Sequence, residues 1–133
     1  MKKIYNNIFP VKRFTSMVIW PFLFIRKDRA WAFNTIGERH EGTHGRQQKE
    51  MLVVGAIIAA VLAAAGCGWW SLLAIPLFFW WYGIEWLVRL CIYRNMMTAY
   101  KNISLEREAY ANQYDLMYLD RRDAFAWIRY IKQ

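Results

Sequence analysis

The sequence is short of cysteine, histidine and acid, and each shortage narrows what the chain can do. Its two cysteines, Cys67 and Cys91, stand far apart without CxxC spacing. They show no metal pattern and read as small buried hydrophobes. Acidic residues number 10 against 18 Lys and Arg, for a net charge of +8. A basic surplus can serve nucleic acid, but these residues form no stripe along one helix and no reader motif is present, so no nucleic-acid partner is expected. Repeats and low-complexity segments are absent. Met1–Lys12 is basic, yet no h-region or small-residue cleavage site follows it. The apolar stretch Met17–Ile25 is short, interrupted by Pro21 and bracketed by Arg13 and Arg26, so no signal peptide is expected. The longest absence is of charge itself: Met51 to Ile84 has none, and on to Tyr93 only Glu85 and Arg89 appear.

What fills that gap is apolar. The chain is 57% hydrophobic and 18% aromatic, with eight Trp among 133 residues, which suits one domain or one small membrane protein. A soluble domain of this size rarely hides so long an apolar run, whereas a bilayer solvates it directly. The basic residues cluster in 2–49 and 94–132, on either side of it. Positive flanks around a neutral hairpin place both flanks on the cytoplasmic side. The expectation is a membrane protein in contact with lipid.

Residues 1–14 read as a polar, basic lead-in. Residues 15–26 are rich in β-branched and aromatic types and read as one strand, with Pro21 marking an edge strand or a bulge. Lys27–Asn34 reads as a polar turn. Thr35-Ile36-Gly37-Glu38 has the capping-box form, which predicts a helix over 35–50. Gly42 and Gly45 weaken that helix locally and suggest a close neighbour. Residues 51–93 form the hairpin. Its first arm, Met51–Gly66, is about 16 residues against the ~17–25 of a full span. Gly66-Cys67-Gly68 makes the turn, and Trp69 and Trp70 suit an interface belt at the tip. The second arm continues to Tyr93, with Pro76 as a kink. Re-entrant or interfacial insertion stays open alongside a full crossing. Glu85 and Arg89, four apart, can pair. Ser104 suits an N-cap for a helix over 104–120. The tail, 121–133, reads as an amphipathic helix lying on headgroups.

Both histidines fall in one motif, His40-Glu41-Gly42-Thr43-His44. Four-residue spacing on a helix points both imidazoles the same way, so they can grip one zinc ion. Glu41 projects one position round, where it can act as general base on a zinc-activated water. For two histidines placed at random, that spacing followed by Glu would arise on the order of once in a thousand chains. Two histidines packed for structure are the competing reading. A catalytic zinc needs a third protein ligand. The metzincin spacing fails, because Gln47 and Glu50 stand where Gly and His are required. A distant Glu is the other common solution, and Glu106 and Glu108 are both available. Gln47 and Gln48, one turn past His44, can brace the ligands or form a solvated face.

Glu106-Arg107-Glu108-Ala109-Tyr110 resembles the ExxA[D/N] element of gluzincin metallopeptidases. The order of HExxH helix, apolar hairpin and Glu helix is similar to that of membrane gluzincins, including CAAX-processing, heat-shock and antibiotic-sensor peptidases. HEGTHGRQQ, WYGIEWLVRL and ISLEREAYAN resemble a group of small bacterial proteins with the same layout, over residues 15–130. The resemblance implies a mainly α (α+β minor), minigluzincin-like fold: zinc-site helices, an apolar helical hairpin in the membrane and a short β element near the N-terminus. It implies His40, His44 and Glu106 as zinc ligands and Glu41 as catalytic base, with a peptide or protein substrate held along an edge strand. Tyr110 departs from the family's Asp or Asn. It can donate to a ligand or to the reacting oxyanion, or it can be packing. Shifting the frame makes Glu108 the ligand and Asn112 its polar partner.

The expected activity is therefore that of a membrane zinc metallopeptidase, a hydrolase acting on peptide bonds. Two rivals remain at this level: a non-catalytic zinc-binding membrane protein, and a scaffold or holin-like hairpin with an accidental motif. A chain this small leaves much of a substrate cleft to lipid, to a second copy in a homo-oligomer or to a partner membrane protein.

Overall fold

The computed structural model describes residues 1–132 and is mainly helical, with a small three-stranded sheet near the N-terminus. Strands β1 (Lys2–Asn6), β2 (Ser16–Ile19) and β3 (Phe22–Arg26) take the order β1-β3-β2. The stretch expected as one strand over 15–26 is thus a hairpin, folded where Trp20-Pro21 connects Ile19 to Phe22. Proline has no N–H to give a ladder, and here it lies in the turn, where its carbonyl accepts from Lys2 N–H. The expected lead-in is also a strand, because Lys2–Asn6 pairs parallel with the open side of β3. Val18, Leu23 and Ile25 bury against Ala30 and Phe33 beneath the sheet. Lys27–Ala32 is a short 3-10 helix rather than a plain turn.

Helix α1 runs unbroken from Thr35 to Ala64, so the motif-bearing helix does not stop at residue 50. Its cap is Asn34, whose side chain accepts from Ile36 and Gly37 N–H, in place of Thr35. The glycines do mark close neighbours. A Cβ on Gly42 would lie 2.8 Å from Leu119 Cδ1, and one on Gly55 would lie 2.4 Å from the Ala74 carbonyl oxygen. At Gly55 the obstacle is backbone, where the returning chain crosses α1.

The turn at Gly66 and Gly68 uses positive φ at both glycines. A 3-10 segment, Gly68–Ala74, then meets α2 (Leu77–Tyr93) at a 63° bend beside Pro76. Helix α1 is long and apolar enough to cross a membrane, and the bent pair passes the same test only if taken together. Much of the hairpin's apolar surface faces outward, including Val53, Ile57, Val61, Trp69, Trp70 and Ile84. Cys67 and Cys91 are exposed on it, contrary to the expectation of burial, because the hairpin turns its small residues outward too.

Helices α3 (Met96–Lys101) and α4 (Ser104–Asn112) bring the chain back against α1. The helix expected to reach residue 120 ends at Asn112. There Asn112 Nδ2 donates to the Glu108 carbonyl, and Asp115 then fixes a new turn by accepting from Met117 N–H. The short α5 (Tyr118–Arg121) follows. The tail is not a free amphipathic helix: Trp127 buries with Met51, Phe78, Ile103 and Leu105 in the main core. Arg89 and Arg107 hold it there by donating to the carbonyls of Ile131 and Tyr130.

Candidate metal centre

Helix α1 offers His40 and His44 from successive turns, and α4 brings Glu106 against them from across the core. The two Nε2 atoms lie 3.2 Å apart. Glu106 Oε2 lies 3.3 Å from His40 Nε2, and Glu106 Oε1 lies 3.2 Å from His44 Nε2. Tetrahedral ligands at ~2.0–2.1 Å from a zinc ion are separated by roughly 3.3–3.4 Å. Each contact is near that separation, with Glu106 turning a different oxygen to each histidine, and one ligand atom from each of the three residues lies within 4.8 Å of the others. Glu106 Oε2 is buried and, among the described residues, takes part in no hydrogen bond despite its nearness to His40. A buried acceptor in that state is what a cation would satisfy.

The sequence around this cluster fixes its orientation. Gln47 lies three residues past His44 on the same helix face, and its Oε1 accepts from His44 Nδ1 at 2.8 Å. The Gln47 amide nitrogen is committed elsewhere, donating to the Leu105 carbonyl and to Glu108 Oε2, each at 3.0 Å. An amide with both hydrogens in use can only accept at its oxygen. A neutral His44 then carries its proton on Nδ1, with the Nε2 lone pair aimed at the cluster. Tyr82, from α2, donates to Glu106 Oε1 at 2.6 Å. Glu85, one turn further along α2, accepts from both Ser104 N–H at 2.9 Å and Ser104 Oγ at 2.6 Å. Ser104 is thus capped by Glu85 rather than acting as the cap, and the carboxylate sits at the favourable end of the α4 dipole. The expected Glu85–Arg89 pair is present at 3.2 Å.

Electrostatics point the same way. Burial disfavours charge on His44, but the Glu106 carboxylate beside it outweighs burial and raises its pKa to about 9. Burial works against the Glu106 anion, yet His44 and His40 hold its pKa well below the usual carboxylate range. Without a cation the cluster therefore keeps its balance by holding a proton on His44. Burial and the same carboxylate push the Tyr100 and Tyr110 hydroxyls up, so both stay protonated donors.

Glu41, buried beside the histidines, accepts from Ser16 Oγ on β2 at 2.8 Å. Tyr110 meets His40 through its ring, edge-on with centroids 4.7 Å apart. Of the two carboxylates left open by sequence, Glu106 faces the histidines. Glu108 turns the other way, to Gln47, Tyr118 and the buried Arg122, which also pairs with Glu50. Asn112 ends α4 and reaches Tyr130. Gln48 is no solvated face: its amide joins Val18 C=O and Trp20 N–H, tying the end of β2 to α1. Sequence reading did not single out Ser16 or Tyr82. A signal for Tyr82 existed, since Tyr82, Glu85 and Arg89 form one polar stripe on an otherwise apolar helix.

Comparison with family models, curated proteins and solved structures finds no match for this chain.

Proposed function

We propose that the chain is a membrane-associated zinc peptidase with His40, His44 and Glu106 as its metal ligands. The observation that carries this reading is the convergence of the three side chains, with the two Nε2 atoms 3.2 Å apart and Glu106 presenting one oxygen to each at 3.2–3.3 Å. Two nitrogens and one carboxylate are a donor set suited to zinc, and three ligands leave one position open. A zinc ion held there supplies Lewis acidity, drawing the pKa of a water toward ~7. Glu41 takes the proton of the attacking water and returns it to the leaving amine. Ser16, bonded to one Glu41 oxygen, orients the carboxylate for that transfer. Tyr110, a protonated donor beside His40, supports the carbonyl oxygen as charge develops on it.

An extended substrate suits the edge of β2. The Thr15 carbonyl accepts from Arg26 N–H, so the alternation of an antiparallel pair turns the N–H and C=O of Ser16 and the N–H of Val18 away from β3. Those groups can hold a peptide backbone next to Glu41. The outward apolar surface of residues 51–93 and its basic flanks support a hairpin inserted in the inner membrane, with the centre at its cytoplasmic face.

Replacing Glu41 with Gln tests the reading directly. Zinc should stay bound at one equivalent while peptide hydrolysis is lost. Full activity in E41Q would refute the mechanism. One equivalent of zinc with no turnover of any peptide by the wild type would leave a non-catalytic zinc protein, and absence of zinc would leave a scaffold.

A further inference from the structure

A cavity of about 520 Å³ opens onto the cluster, with His40, Glu41, His44 and Glu106 in its wall. That volume is within the ~300–1,000 Å³ of pockets that enclose a drug-sized ligand, far more than a reacting water requires. Beyond the cluster its lining is almost wholly apolar, from Met17 and Val18 on β2, Phe79 and Trp86 on α2, and Met96 and Met97 around α3. The methionines make that wall adaptable in shape. Gly83 also lines the cavity, and a Cβ built on it would meet nothing within 4 Å. On a helix otherwise crowded with aromatics, the missing side chain leaves room.

We infer that this cavity is a specificity pocket for a bulky apolar side chain of a peptide, next to the bond cleaved, and that Gly83 sets its capacity. The inference rests on the peptidase reading for what happens at the cluster, but the pocket's preference for binding stands apart from turnover. A peptide is favoured over a lipid because the cavity runs along β2, where Ser16 and Val18 present backbone groups that a lipid chain cannot use. A strand paired there alternates its side chains, so one faces the apolar chamber.

The test uses the full chain in detergent, both zinc-loaded and metal-free. Matched peptides carry Phe or Ala at the probed position, each in a cleavable form and in a reduced-amide form that cannot be hydrolysed. The Phe analogue should bind at least about tenfold more tightly than the Ala analogue. Gly83→Leu should bring that ratio close to one while zinc stoichiometry and helical circular dichroism stay unchanged. A Phe preference in binding without any cleavage would support the pocket and count against the peptidase. Equal binding of Phe and Ala analogues, or an undiminished Phe preference in Gly83→Leu, would overturn the pocket even with hydrolysis intact. Displacement of the Phe analogue by a single-chain phosphocholine detergent at equimolar concentration would overturn the peptide assignment in favour of lipid.

Discussion

Tyr82 donates its hydroxyl proton to Glu106 Oε1 at 2.6 Å, joining the apolar hairpin to the candidate metal centre. The donor comes from α2 and the acceptor from α4, so the carboxylate is held by a helix that carries no ligand of its own. Tyr82→Phe keeps the ring and removes this bond. Zinc affinity should fall roughly 10–100-fold, as for loss of other partners that orient a ligand, and competition against a chromogenic chelator would measure it. An unchanged affinity would show that α4 alone fixes Glu106.

Gln47 should matter by a different route. Gln47→Leu leaves His44 Nδ1 without its acceptor and frees the ring to take the other tautomer. It also strips Glu108 of one donor while Arg122 and Tyr118 remain. A zinc affinity lower by ~10–100-fold is expected, with nitrogen NMR above pH about 9, where His44 is neutral, showing mixed tautomers in the metal-free protein.

On the proposed zinc reading, metal uptake should release a proton. His44 holds one until pH about 9, because the Glu106 carboxylate outweighs burial there. Below that pH zinc must displace it, so apparent affinity should rise about tenfold per pH unit and level off near pH 9. Titration calorimetry in buffers of different ionisation enthalpy would count the proton. For the metal-free fold the signs are opposite for the two partners. A raised His44 pKa stabilises fully below its ordinary 6.5 and is lost as pH rises through about 9. A lowered Glu106 pKa stabilises above its ordinary 4.5 and is lost as pH falls toward its folded value. Thermal melts without metal should therefore peak, for this pair, between pH 4.5 and 6.5.

Gly55→Ala should destabilise the hairpin. The new methyl would lie 2.4 Å from the Ala74 carbonyl oxygen and 2.9 Å from that of Ile75, and backbone cannot rotate away. Overpacking of this kind costs about 1–3 kcal/mol, readable as a lower midpoint of unfolding in detergent. Gly83→Ala, where no neighbour stands within 4 Å, is the matched comparison and should be close to neutral.

What the sequence made legible was mostly what depends on local spacing. The i, i+4 histidines, the Glu85–Arg89 pair and the turn at Gly66 and Gly68 follow from helix geometry and backbone freedom, and each lies where that geometry puts it. The strand at Lys2–Asn6 was not legible, because its ladder is with β3, sixteen or more residues away, and nothing in KKIYN announces a partner. The end of α4 at Asn112 depends on a side chain turning back to its own helix, a choice that composition does not reveal. The tail over 121–133 read as an amphipathic helix on headgroups, and only packing with Ile103, Leu105 and Met51 made its Trp127 a core residue. The choice of Glu106 over Glu108 needed the third dimension too. One position faces α1's histidines, and the other faces Arg122.

The unbroken course of α1 acts as a depth gauge. Each residue adds ~1.5 Å of rise, so the arm from Met51 to Ala64 reaches about 20 Å beyond the helix segment that bears His40 and His44. A bilayer's hydrocarbon layer is ~30 Å thick. On the proposed membrane reading, an arm of that length crosses only if the part of α1 before Met51 sinks into the bilayer with it, so the depth of the tip at Trp69 and Trp70 sets the height of the metal centre.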